Sequence, residues 1–175
     1  MIRRLSLLTM IMALALMPGA AIHWVSPGLS PVVGMARAQE AAAGQAMRLP
    51  ADPDNLVVHT AQGEFPFSIE IADDPSERSR GLMFREEMPA RHGMLFDFGA
   101  TRQVNMWMKN TPMSLDMVFI GKDGIVVNVA ERTEPFSEAV ISSAGPVDYV
   151  LELRAGIAKL IGLKAGDRLE HRIFQ

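Results

Sequence analysis

Cysteine is absent from the 175-residue sequence. Its absence excludes disulfide bonds, a lipid-modified N-terminal cysteine and a cysteine nucleophile. The four histidines are scattered without a His-x-His or His-x-x-x-His spacing, so no zinc site is predicted. The sequence also lacks a Gly-x-Ser-x-Gly elbow, a Walker loop and a dinucleotide-binding glycine motif. We therefore predict no cofactor, and no recognised motif points to a reaction.

Acidic residues are absent from the first 38 positions. Arg3 and Arg4 precede an apolar run from Leu5 to Met17, and Ala36-Arg37-Ala38 is a small-x-small string of the type that signal peptidase cuts. The apolar run is shorter than the roughly 20 residues that span a bilayer. We predict a signal peptide over residues 1–38 and a periplasmic or secreted protein. The alternative is an uncleaved N-terminal anchor, and then only this segment would contact a membrane.

Basic residues are too few for nucleic-acid binding. The chain has a net charge of −3, and removing residues 1–38 with their three arginines leaves −6. Phosphate contacts need Lys and Arg, so no nucleic-acid partner is predicted. Residues 39–54 are rich in Ala, Gly, Gln and Pro and predict a flexible leader. Residues 55–175 are long enough for a single β-rich domain with one core, whose oligomeric state the sequence does not predict.

Short β-branched or alternating runs, separated by turn residues, predict seven or eight strands and two short helices. Asp73-Asp74-Pro75-Ser76-Glu77 is typical of a helix start, and Lys122-Asp123-Gly124 between two β-rich runs predicts a hairpin. A further strand is predicted over Val104 to Lys109. The predicted fold is mainly β (α+β): a compact antiparallel β sandwich or small barrel with one or two short helices.

A set of motifs then stands in a fixed order along the chain. They are Gly81-Leu-Met-Phe-Arg85, Gly93-Met-Leu-Phe-Asp-Phe98, Trp107-Met-Lys-Asn-Thr111 with Leu115-Asp116, Phe119-Ile120, Val150-Leu-Glu-Leu153, Gly156 and Gly166-Asp167. Together they resemble the bacterial and archaeal family called domain of unknown function 192, from about Leu56 to Ile173. The resemblance implies a compact, mainly β, often exported domain. It implies no activity, so no catalytic residue is carried over.

A candidate site follows from the residues around the only tryptophan outside the signal segment. Alternation along a strand over residues 104–111 would separate Trp107 from the neighbouring methionines. Glu152 interrupts an apolar strand, and a buried charge must be paired or functional. We predict a pocket for a small polar or carbohydrate-like ligand, because a flat ring beside hydrogen-bonding groups suits one. Its predicted residues are Trp107, Lys109, Asn110, Thr111, Asp116 and Glu152, with Arg85 nearby.

Three alternatives to this pocket stay open. In the first, Arg85 or Lys109 neutralises Asp116 or Glu152 in a purely structural ion-pair network. In the second, the same two carboxylates perform hydrolysis. In the third, the thioethers of Met106-Trp107-Met108 bind Cu(I), for which soft sulfur ligands are selective. The predicted function is a binding or accessory module, and enzyme activity is not predicted.

Overall fold

A computed structural model describes residues 44–174, so the predicted signal peptide lies outside the described residues. The described strands are β1 (Leu56–Thr60), β2 (Gly63–Ala72), β3 (His92–Arg102), β4 (Asn105–Met106), β5 (Leu115–Ile120), β6 (Val126–Ala130), β7 (Ile141–Ser142), β8 (Val147–Arg154) and β9 (Arg168–Glu170). The helices are α1 (Pro75–Arg80) and α2 (Ile157–Ile161), and a 3₁₀ turn covers Arg172–Phe174. Neither of these helices has the length and apolar character that crossing a membrane requires. The predicted mainly β class with short helices is confirmed.

Seven strands form one curled sheet in the order β6-β5-β8-β3-β2-β1-β9. Its neighbours are antiparallel except β2 and β3, which are parallel. The two outer strands approach each other at one end of the sheet. There, the N–H of Gly166 donates to the carbonyl of Val126 at 2.9 Å, and the N–H of Leu169 donates to that of Gly124 at 2.8 Å. The sheet therefore curls into a half-barrel whose two outer strands meet only at this end.

Side-chain alternation along the strands gives the sheet two apolar faces. The inner core receives residues from all seven strands, including Val58, Ile69, Leu95, Val118, Val126, Leu151 and Leu169. Side chains from both outer strands and all the strands between them form one cluster, so this core lies on the concave face of the curled sheet. The outer core lies on the other face and contains Met94, Phe96, Met108, Met117, Phe119 and Val150. The loops and α1 cover this outer face.

The parallel pairing of β2 and β3 determines where α1 lies. Parallel neighbours need a crossover connection, and α1 belongs to it. The helix begins as the sequence predicted: the Asp74 carboxylate accepts from the Ser76 N–H at 2.7 Å, and Glu77 accepts from the Asp74 N–H at 3.3 Å. It ends at Gly81, where φ is 46° and a Cβ would lie 3.0 Å from the Phe96 ring. The contact with Phe96 holds the helix end against the outer face.

The strand predicted over 104–109 is wrong beyond Met106. Only Asn105–Met106 pair as a strand, with Ile141–Ser142. The chain then turns, because the Thr111 N–H donates to the Met108 carbonyl at 3.0 Å and Asn110 has a left-handed φ of 54°. Residues 107–111 therefore form a turn, so strand alternation is not the reason for the positions of their side chains.

Part of the segment predicted to be a flexible leader is hydrogen-bonded to the domain. The Met47 carbonyl accepts from Nε of Arg85 at 2.8 Å, and the Asp52 N–H donates to the Ile69 carbonyl at 2.7 Å. Ala51 also forms an isolated antiparallel bridge with Glu70 of β2. Ala51 and Asp52 therefore pair with β2, and Met47 and Leu49 pack against the outer core.

Candidate functional site

A cavity of about 350 Å³ lies between the outer face of the sheet and α1. Its wall combines cationic side chains, aromatic rings, thioethers and a single acid. The residues that line it are Pro75, Arg78, Ser79, Arg80, Gly81, Leu82, Met83, Phe96, Phe98, Arg102, Asn105, Met106, Trp107, Lys109, Thr111 and Glu152. Four predicted site residues, Trp107, Lys109, Thr111 and Glu152, therefore share one cavity.

Glu152 forms part of the cavity wall from the middle of β8. Its cross-strand neighbours are Met94 on β3 and Met117 on β5, so it lies among outer-core residues. The residue is only 4% exposed, and within residues 44–174 no group donates a hydrogen bond to its carboxylate. Burial raises its pKa to about 8, and the charge of Arg85 opposes that rise. Glu152 is therefore mostly protonated at neutral pH and is both a donor and an acceptor.

Two guanidinium groups lie against one ring of the cavity wall. The central carbons of Arg78 and Arg102 are 5.9 and 5.0 Å from the centroid of Phe98. Arg78 also donates from Nη1 to the carbonyls of Asp97, at 2.8 Å, and Asp73. In the part of the chain that the structure describes, no carboxylate lies within 4.0 Å of either guanidinium. This part of the wall therefore carries positive charge without a counter-ion.

Trp107 and Lys109 form another part of the cavity wall. Trp107 is 51% exposed, and Nζ of Lys109 lies 5.8 Å from its ring centroid. Lys109 also lies 3.7 Å from a carboxylate oxygen of Glu138. Both partners of that ion pair are exposed, so solvent screens it. The exposed ring offers a flat apolar surface beside a cation.

Asn110 and Thr111 have different positions. Thr111 is buried, lines the cavity and donates from Oγ1 to the Lys109 carbonyl at 3.2 Å. Asn110 does not line it. The Asn110 carbonyl accepts from the Phe84 N–H at 2.7 Å, and its side-chain amide lies 3.8 Å from Sδ of Met83. Asn110 therefore connects two loops of the outer layer behind the wall.

Asp116 is not brought to the cavity. It lies opposite Leu153, an inner-core residue, whereas Glu152 lies opposite Met117 of the outer core. Directly paired residues share a face, so Asp116 and Glu152 point to opposite sides of the sheet. The Asp116 carboxylate accepts from the backbone N–H groups of Arg132, at 2.9 Å, and Ala158, at 2.8 Å. Backbone amides, rather than Arg85 or Lys109, satisfy this buried acid.

Arg85 pairs with Glu70, a residue that the sequence analysis missed. Nη1 of Arg85 donates to Oε1 of Glu70 at 2.7 Å, and Nη2 contacts Oε2, with side-chain exposures of 2% and 5%. His92 lies 2.8 Å from Oε1, and the Leu49 N–H donates to Oε2 at 2.7 Å. Burial raises the pKa of Glu70, but the hydrogen bonds from Arg85, His92 and Leu49 outweigh it and hold the pKa below 4.5. Glu70 is therefore the charged acid of this face.

The two methionines of the copper alternative have separate environments. Met108 is fully buried in the outer core, and its sulfur accepts from Oγ1 of Thr133 at 3.1 Å. Met106 is half-buried and lines the cavity beside cationic groups, which repel a metal ion. Residues 44–174 contain no group of three or more His, Asp or Glu side chains arranged to hold a metal ion. Met106 and Met108 therefore differ in accessibility, and of the two only Met106 lines the cavity.

Arg85→Met leaves the buried Glu70 without its cation, and we expect the free energy of unfolding to fall by about 3–5 kcal/mol. Urea denaturation measures this loss. Glu138→Gln, which removes the exposed partner of Lys109, is the matched control and should change stability by less than about 1 kcal/mol. Equal losses for Arg85→Met and Glu138→Gln would contradict the assigned importance of the buried pair.

The raised pKa of Glu152 also predicts how stability depends on pH. The folded state keeps the proton up to about pH 8, whereas the unfolded state releases it near 4.5, so raising the pH between these values favours unfolding. We expect the wild-type protein to lose stability relative to Glu152→Gln over this window, on the order of 1 kcal/mol per pH unit. Urea denaturation of both proteins from pH 5 to 9 measures the difference. Parallel stability curves would show that Glu152 is not protonated in the fold.

The chain matches one protein family and several solved structures. Residues 57–171 match the profile of the family called domain of unknown function 192, described as uncharacterized ACR. A Sinorhizobium meliloti 1021 structure, provisionally described as a transcription regulator, is 49% identical with a TM-score of 0.67; the match covers 71% of this chain and 97% of that one. A Novosphingobium aromaticivorans DSM 12444 protein of unknown function is 33% identical, also with a TM-score of 0.67, and the match covers 74% and 96%. No curated protein matches. The chain belongs to the domain of unknown function 192 family.

Proposed function

We propose that this protein is an exported binding module that holds a small polar or carbohydrate-like ligand in the cavity beneath α1. The observation that carries the proposal is Glu152, a buried acid in the cavity wall without a hydrogen-bond partner among the described residues. Among the described residues, the only fully enclosed side-chain polar atom without a hydrogen-bond partner is Nε2 of His171, so the Glu152 carboxyl is open to the cavity. A ligand hydroxyl in the cavity would supply the missing partner.

The other side chains of the wall suit such a ligand. The Trp107 ring is half-exposed and offers an apolar surface to the C–H face of a sugar ring. Lys109 and Thr111 add a cationic donor and a hydroxyl to the same wall. A few polar groups on a largely apolar concavity are the usual composition of a small-molecule site.

Binding is favoured over hydrolysis because no second carboxylate from residues 44–174 lines the cavity wall beside Glu152. Asp116 points to the opposite face and is already bound by two backbone amides. Glu70 lies on the same face as Glu152, but its carboxylate oxygens are already hydrogen-bonded to Arg85, His92 and the Leu49 amide. A two-carboxylate hydrolysis mechanism needs two available carboxyl groups that flank the scissile bond, roughly 5–9.5 Å apart.

Binding can be followed by the fluorescence of Trp107 in a full-length chain carrying Trp24→Phe, which leaves a single tryptophan. The probes are D-glucose, N-acetyl-D-glucosamine and D-glucuronate, titrated to millimolar concentration. We expect at least one to change the emission saturably and to raise the melting temperature. Glu152→Met, which resembles the neighbours Met94 and Met117, should abolish this response and raise stability by about 1–2 kcal/mol.

The matched variant for that experiment is Glu152→Gln, which keeps a neutral hydrogen-bonding group of nearly the same shape. It should fold and retain measurable binding. The proposal fails if no probe gives a saturable response, or if Glu152→Met binds as tightly as the wild type.

Export is the second part of the proposal and rests on the signal-peptide pattern of residues 1–38. We expect the protein recovered from the exported fraction to begin after Ala38. N-terminal sequencing measures this directly. A protein that starts at Met1 would contradict cleavage.

A further inference from the structure

The charges of the cavity wall differ from those of the whole chain. The chain has a net charge of −3, yet the wall contains four basic side chains and one acid. That acid is Glu152, whose burial keeps it mostly neutral at pH 7. The cavity is therefore a positively charged site on an acidic protein, and it attracts negative solutes.

Arg78 and Arg102 are cations of this wall that have no carboxylate within 4.0 Å among residues 44–174. Lys109 has Glu138 at 3.7 Å, and Arg80 donates to the Gln45 carbonyl and lies over the Phe84 ring. The exposed Asp74 feels the charge of Arg78 but forms no ion pair with it within 4.0 Å.

Both guanidinium carbons lie within 6 Å of the centroid of the same Phe98 ring, and both residues line the same cavity. An anion bound at this part of the wall would be attracted by both charges. A guanidinium group presents parallel N–H donors that match the oxygens of a carboxylate or a phosphate.

We infer that the cavity recognises a small hydroxylated oxyanion, of the class of acidic sugars that carry a carboxylate or a phosphate. Its anionic group contacts Arg78 and Arg102, while Glu152 and Thr111 bind its hydroxyls. Trp107 packs against its apolar face. The inference rests on the proposed binding function and adds the charge of the ligand to it.

The experiment compares matched ligands in the full-length chain carrying Trp24→Phe, with Trp107 fluorescence as the signal. D-glucuronate and D-glucose differ by the carboxylate alone, and D-glucose 6-phosphate carries a phosphate instead. We expect at least one of the two acids to bind tenfold or more tightly than glucose, and added NaCl to weaken the acid but not glucose. A preference for either acid supports the inference and identifies the anionic group.

Arg78→Gln and Arg102→Gln should each weaken binding of the preferred acid about tenfold without changing glucose binding. Arg102 is exposed, so its replacement leaves the core intact. Arg154→Gln removes an exposed arginine from the end of β8, outside the cavity wall, and is the control that should leave both affinities unchanged. Thermal unfolding checks that every variant is folded.

Equal affinities for glucose and both acids would overturn the inference and leave the proposed binding function standing. Loss of acid binding in Arg154→Gln to the same extent as in Arg102→Gln would also overturn it, because the effect would then be general electrostatics. If none of the three sugars binds, the inference and this cavity's proposed function fail together.

Discussion

The two-pronged contact between Arg85 and Glu70 sets the charge state of the outer face of the sheet. Glu70 on β2, Met94 on β3 and Glu152 on β8 are cross-strand neighbours, so one row holds two buried acids. Arg85 binds Glu70 directly and only weakly offsets the burial of Glu152. One acid is therefore charged and satisfied, and the other is neutral and available. Glu70 also binds the Leu49 amide, which ties the N-terminal segment to the same cluster.

The rest of the cavity depends on a single topological feature. Because β2 and β3 run parallel, the connection between them crosses the outer face and carries Arg78 with it. The loops that complete this layer contain Phe84, Asn110 and Phe136, all with left-handed φ values. Such conformations are costly for phenylalanine and persist only where surrounding contacts hold them. Hydrogen bonds between these loops, such as that from Phe136 to Thr111, supply those contacts.

The features that the sequence predicted well are governed by local chemistry. The helix start at Asp74 and the hairpin around Gly124 follow from caps and turn residues, and Glu152 was identified as a charge in an apolar strand. The burial of Glu70 was not predicted because Glu70 is one of the polar residues in a strand that alternates apolar with polar. Such polar positions usually face solvent. Arg102 lies on the same strand as Phe98, whereas only the crossover brings Arg78 to that ring. Asp116 was predicted in the pocket, but it lies within β5 opposite Leu153, so its side chain points to the inner face.

The hydrogen bonds that join the outer strands at Gly166 and Leu169 also affect how readily one copy of the protein can pair with another. A strand at the margin of a sheet exposes backbone groups that can recruit another chain and begin aggregation. Here, Gly124 and Val126 pair with residues next to and within β9, so part of both margins is already occupied. The half-barrel thereby limits the backbone available for intermolecular β pairing, without a disulfide to hold it closed.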